Sequence, residues 1–286
     1  MISVSDKTVT ERDRVADRLY LDLLKKCLTR YIFGEPCRAI GLSKNKVRNA
    51  LYAFIRFLLA RRKLEIVRSK SFDPGARVEG RDWPEEAETM IGLKRLDNLE
   101  YCITDVLRRH VEGDLIETGV WRGGASIFMR AVLKVYGDTE RTVWLADSFQ
   151  GLPQPDAERY PADAGDRLWT FPQLAIPLED VKANFAKYGL LDDQVRFLVG
   201  WFRDTLPTCP INRLSVLRLD GDLYESTMDA LHNLYPRLSV GGYVIVDDYG
   251  VFPSCKAAVE DFRTKHGITE NIQWIDWSGV FWQRLR

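Results

Sequence analysis

Residues 113–149 read GDLIETGVWRGGASIFMRAVLKVYGDTERTVWLADSF, and the succession of textures along them decides the fold. "GDLIETGV" (113–120) is a short apolar strand ending in glycine, and "ASIFMRAVLKVYG" (125–137) carries apolar residues at helical spacing. "TVWLADSF" (142–149) is a second strand, and it runs into an acid. Strand, helix and strand in so short a span predict a βαβ unit with parallel strands. Further on, a polar, Pro-rich connection (151–178) leads to a helix near 179–188 and a strand "VRFLVG" (195–200). Then come "LSVLRLDGD" (214–222), a helix through about 236, and "GYVIVDDYG" (242–250). After one more helix, "NIQWIDWSGVFWQRL" (271–285) has the form of a terminal hairpin turning at Ser278-Gly279. The expectation is an α/β protein with a doubly wound, mostly parallel sheet and a C-terminal antiparallel hairpin.

The N-terminal quarter differs in character. Residues 1–70 hold 17 Lys/Arg against 7 Asp/Glu, a net of +10, and since the whole chain of 286 residues is neutral the remainder carries −10. A basic head on an acidic body predicts two units, a helical extension over 1–78 and an α/β domain over 79–286. In the head, "DRLYLDLLKKCLTRYIF" (17–33) has helical spacing, and "KNKVRNALYAFIRFLLARRKLEIVR" (44–68) joins an apolar run to a dense basic set. The second helix reads either as packed on the main domain or at a dimer contact, or as an interfacial helix on an anionic membrane. "SFDPGARVEGRDWP" (71–84) is a turn-rich break before a helix expected over 85–111. Hydrophobic residues make up 45%, but no run is long enough for a membrane span and no signal-peptide core opens the chain. Five scattered cysteines without metal spacing suit reduced thiols in a cytoplasmic protein.

In open α/β sheets, ligands bind beyond the carboxyl ends of the strands. Those ends carry Glu117, Thr118, Gly119, Trp121, Gly123 and Gly124; Asp147, Ser148 and Phe149; Gly200, Trp201 and Phe202; Asp220, Gly221 and Asp222; Asp247, Asp248 and Tyr249. "GVWRGG" is not the G-x-G-x-x-G dinucleotide fingerprint, because Trp121 and Arg122 fill the turn where a pyrophosphate would need room. Asp147, 28 residues beyond Gly119, is placed to accept from two ribose hydroxyls. A nucleoside without phosphates and with a positive centre suits this set, and S-adenosylmethionine has that description. Asp220 and Asp247 stand 27 residues apart, the length of one βαβ crossover, so their strands are expected side by side. Asp220, Asp247 and Asp248 would then converge, and three carboxylates at one point call for a cation, Mg²⁺ with Mn²⁺ or Ca²⁺ as alternatives. Asp222 with Glu225 has the spacing of a capping box, a purely structural reading of that acid. The histidines (His110, His232, His266) lie in or beside helix patterns, and no nucleophile–base arrangement is apparent.

"EGRDWPEEAETMIGLKRLDNLE" (79–100), "DLIETGVWRGGASIFMRAVL" (114–133), "VWLADSFQGLP" (143–153) and "LRLDGDLYESTMDALHNLYPRLSVGGYVIVDDYG" (217–250) resemble the macrocin O-methyltransferase family. "YLDLLKKCLTRYIF" (20–33) is similar too. Members of that family methylate sugar hydroxyls on macrolide and aminocoumarin antibiotics. The resemblance implies a class I methyltransferase fold, S-adenosylmethionine as donor, Mg²⁺ dependence (Mn²⁺ as substitute), a small glycosylated acceptor and a homo-oligomer, with no nucleic-acid partner. It implies Asp220, Asp247 and Asp248 as metal ligands and Asp220 as general base. The expected donor-site set is Met90, Glu117, Thr118, Gly119, Trp121, Gly123, Ser126, Asp147, Ser148, Phe149, Gly200, Trp201, Asp220 and Gly221, with Met90 in a segment covering the site near Trp83. Peripheral membrane contact through 44–70 would favour a lipid-linked sugar. Rival readings are a catechol-type O-methyltransferase for an aromatic diol, a dinucleotide-dependent oxidoreductase, and a non-catalytic module holding a structural ion.

Overall fold

The computed structural model describes residues 11–35, 37–40, 44–64, 66–69 and 71–286. Helix α1 (Glu11–Leu28) is followed by a projecting arm, in which β1 (Cys37–Ala39) and β2 (Val67–Ser69) pair antiparallel at the base of α2 (Lys46–Ala60). Then come α3 (Pro74–Glu79), α4 (Leu93–Arg108), β3 (Asp114–Thr118), α5 (Gly124–Val135), β4 (Val143–Asp147), α6 (Leu178–Lys187) and β5 (Val195–Val199). The chain closes with α7 (Phe202–Thr205), β6 (Leu214–Leu219), α8 (Tyr224–Leu234), β7 (Leu238–Val246), α9 (Pro253–Lys265), β8 (Gln273–Trp274) and β9 (Val280–Gln283).

Strands β3 to β9 form one sheet in the order β5-β4-β3-β6-β7-β9-β8. The first five are mutually parallel, while β9 runs antiparallel to β7 and to β8. The strand order reverses between β3 and β6, which opens a crevice above their carboxyl ends. Both faces of the sheet are covered. Leu115 of β3 packs with α1, α4 and α5 residues such as Leu28, Leu99 and Phe128, while Ile116 packs with Leu231 of α8 and Phe262 of α9. That alternation is the period of two expected of a strand buried on both sides. Leu21, Leu24 and Leu28 tie α1 into the same core as α4 and α5.

Several boundaries differ from the sequence expectation. The first helix spans 11–28 rather than 17–33, and residues 29–33 turn away from it. The second stops at Ala60 instead of running to 68, where the chain returns as β2. It has no buried residue, so it does not pack on the main domain, and Val47, Leu51, Phe54 and Phe57 are exposed. The helix expected over 85–111 begins only at Leu93, because Gly92 lies so close to Gly80 that a Cβ would meet its nitrogen at 2.4 Å. Residues 85–92 are therefore a loop, and that loop reaches the functional cleft. No helix among the described residues is long and apolar enough to cross a membrane. All five cysteines are free.

Candidate functional site

A cleft enclosing about 760 Å³ opens at the β3–β6 switch point. Met90, Gly119, Trp121, Asp147, Ser148, Trp201, Asp220 and Gly221, all expected in the donor site, line it. Gly119 adopts φ +85°, and a Cβ there would lie 1.7 Å from the Asp220 carbonyl oxygen, so only glycine lets β3 and β6 part at this spot. Asp147 accepts from the backbone N–H groups of Val120 and Phe149, each at 2.7 Å. Burial pushes the Asp147 carboxyl up, against the opposing pull of the amides of Val120, Phe149 and Trp121. Each carboxylate oxygen keeps a second lone pair, so the acid remains competent to accept from a ligand. The Trp121 indole donates to the Gln173 carbonyl at 2.9 Å, bringing the connection after β4 over the cleft.

The remaining expected donor residues stand behind this wall. Thr118 faces the Arg218 carbonyl, Gly123 abuts Val181 and Phe185, the Phe149 ring packs on Phe197, and the Gly200 N–H donates to the Asp147 carbonyl. Glu117 is fully buried, accepting from Ser126 Oγ and from Arg218 at 2.6 Å. Burial pushes its carboxyl up to about 7. These residues shape and brace the cleft rather than face it.

Strands β6 and β7 are adjacent, as the 27-residue spacing required, and Asp220, Asp247 and Asp248 each bring a carboxylate oxygen to within 4.8 Å of the others. Two guanidiniums that the sequence reading passed over share the cluster. Arg218, 2% exposed, donates to Glu117, to Asp220 at 2.8 Å and to Asp247 at 2.6 Å. Arg95, from the first turn of α4, pairs with Asp247 and with Asp276. A signal existed for Arg218: a charge inside the apolar run LSVLRL must find partners. Both oxygens of Asp247 are thus engaged by arginine, whereas Asp248 and Asp222 form no ion pair among the described residues. Burial and neighbouring acids raise the carboxyls of Asp248 and Asp222, and burial and then Asp247 push Asp220 up to about 6. An oxygen-only set short of positive charge fits a hard divalent cation such as Mg²⁺ or Mn²⁺.

Beyond Asp220 the cleft is walled by Asp222, Glu225, Ser226, Asp229 and Arg203. The expected Asp222–Glu225 capping box does not form. Asp222 adopts φ +59°, outside α8, and the N–H groups of Tyr224 and Glu225 donate instead to Asp163, at 2.6 and 3.0 Å. A cap supplied from 61 residues away leaves Asp222 free to line the cleft.

The profile described as "Macrocin-O-methyltransferase (TylF)" matches residues 17–284. The chain belongs to the macrocin O-methyltransferase family. The match to that family reaches back into α1, so it spans the arm as well as the sheet. Among its relatives is the 8-demethyl-8-(2,3-dimethoxy-alpha-L-rhamnosyl)-tetracenomycin-C 4'-O-methyltransferase of Streptomyces olivaceus, 53% identical over 266 residues, covering 93% of this chain and 92% of that protein. The demethyldecarbamoylnovobiocin O-methyltransferase of Streptomyces niveus is 48% identical over 272 residues, covering 94% of each. The solved structure of the O-methyltransferase NovP superposes with a TM-score of 0.82 at 47% identity, covering 94% of this chain and 100% of that one. As a member of the macrocin O-methyltransferase family, the protein is an S-adenosylmethionine-dependent O-methyltransferase with the class I methyltransferase fold.

Proposed function

We propose that the enzyme methylates a sugar hydroxyl of a glycosylated natural product or glycolipid, with a divalent cation held by Asp220, Asp247 and Asp248 and with Asp220 as general base. The observation that carries this reading is the meeting of Asp220, which lines the cleft, with the buried carboxylates of Asp247 and Asp248, in a cleft whose other side has the make-up of a nucleoside site. The curated relatives bear names of enzymes that methylate glycosylated antibiotics, which supports the acceptor class. A cation in that position would lower the pKa of a sugar hydroxyl brought beside it. Asp220 lines the cleft, and its carboxylate takes the proton as the oxygen attacks the methyl carbon. Arg218 fixes one Asp220 oxygen, leaving the other for this work. Asp147 would hold the ribose, while Met90 and Trp201 would enclose the adenosine and orient the sulfonium for in-line transfer.

Asp220→Asn tests the assignment. Turnover of a glycosylated acceptor should fall at least about a thousandfold while S-adenosylmethionine binding is kept, and near-wild-type turnover would remove Asp220 from the mechanism.

The source of the acceptor is linked to the arm. The exposed face of α2 is flanked by Lys44, Lys46, Arg48, Arg56, Arg61, Arg62 and Lys63, against a single acid, Glu65, in 44–69. That composition suits an anionic lipid surface, which would present a lipid-linked sugar. Absence of co-sedimentation with anionic liposomes at low salt would eliminate this assignment. A homo-oligomer is the other assembly proposed, and light scattering showing only monomer would eliminate that one.

A further inference from the structure

Glu35 lies between α1 and the arm, 5% exposed, and its carboxylate accepts three consecutive backbone N–H groups from across the molecule. Glu85 donates to one oxygen at 2.7 Å, and Glu86 and Ala87 donate to the other at 2.9 and 3.1 Å. A buried carboxylate satisfied by successive amides is a charge-assisted clamp on a piece of backbone. The clamped piece opens the loop that carries Met90 into the cleft. On the far side of the arm Arg77, 1% exposed, donates to the carbonyl of Met90 itself. Between these grips the Ala87 carbonyl accepts from Arg122 at 2.9 Å, and the Glu88 carbonyl from the Gly124 N–H at 2.9 Å. Loop 85–90 is therefore held by the two feet of the arm and by the turn after β3. The feet meet each other where the Tyr31 and Phe72 rings pack edge to face, 6.2 Å apart.

We propose that Glu35 is a positioning residue for the methyl-donor site: it fixes loop 85–87 so that Met90 covers the cleft. Donor affinity then depends on the N-terminal extension as well as on the strand ends. The inference rests on the reading of this cleft as the S-adenosylmethionine site. Glutamine at this position keeps one acceptor oxygen but turns an NH₂ toward the Glu85 N–H, so the clamp loses a bond and its charge.

The test is calorimetric titration of the full-length wild type and Glu35→Gln with S-adenosylmethionine, beside amide hydrogen exchange. The expected result is a Kd about tenfold higher in the variant, with faster exchange at Glu85, Glu86 and Ala87. Leu234→Val, a core change remote from the loop, should lower the melting temperature without moving the Kd. In the wild type, donor binding should slow exchange across 85–90, a result that needs no variant to fold. If the wild type binds donor but its exchange there is unaltered, or if Glu35→Gln binds equally well, the positioning role is wrong. If the wild type binds no donor, the reading of the cleft fails, and this inference fails with it.

Discussion

A methyl group added at Gly119 would sit 1.7 Å from the Asp220 carbonyl oxygen, on a backbone already at φ +85°. Neither the carbonyl nor the strand ends can retreat without separating β3 from β6. Gly119→Ala should therefore destabilise the fold by about 3 kcal/mol or more and abolish donor binding, as thermal unfolding and titration would show. Asp105 offers a test by pH. Burial alone would raise its carboxyl, but Arg109, Tyr243 and Arg108 outweigh that and hold it below the ordinary carboxylate range. A depressed folded pKa contributes stability fully present above the unfolded value of about 4 and lost as pH falls through the folded value. Asp105→Asn should melt below wild type at pH 7, and the gap should close on acidification below about pH 4; a pH-independent gap would contradict this. The glycine and the converging aspartates could be read from sequence because strand ends follow from the apolar runs. Arg95 was missed because a partner 152 residues distant leaves no local mark, whereas Arg218, a charge inside the apolar run LSVLRL, carried a signal that was passed over.

Among the elements, α8 shows how a cap from outside redirects a helix start. Asp163, 1% exposed and in the connection after β4, satisfies the first N–H groups of α8. Asp163→Ala should cost about 1–2 kcal/mol in denaturant unfolding and weaken acceptor turnover more than donor binding, since Glu225, Ser226 and Asp229 all ride on that helix. Equal loss of both would contradict this expectation. The Asp222–Glu225 spacing suggested a local cap, and sequence spacing cannot reveal a competitor that arrives by tertiary packing. The same limit explains loop 85–92, where the expected helix start is overridden by amides donated to Glu35 and by the close approach of Gly92 to Gly80. The parallel strands and their helices were legible because burial on both faces leaves continuous apolar runs. The three-residue strands of the arm, CRA and VRS, were not, because they carry no alternation.

For the whole molecule, the proposed function divides the cleft between a donor wall at the ends of β3, β4 and β5 and the end of β6, where Asp220 meets the buried Asp247 and Asp248 that follow β7. The division predicts that donor binding and cation binding are separable. The carboxylate cluster belongs to the second half, so removing divalent cations should stop methyl transfer while leaving the donor in place. Calorimetric titration of the purified protein with S-adenosylmethionine, first in Mg²⁺ and then in EDTA, tests this most directly. Saturable binding with similar affinity in both conditions is the predicted result. Absence of binding in both would contradict the assignment of the cleft.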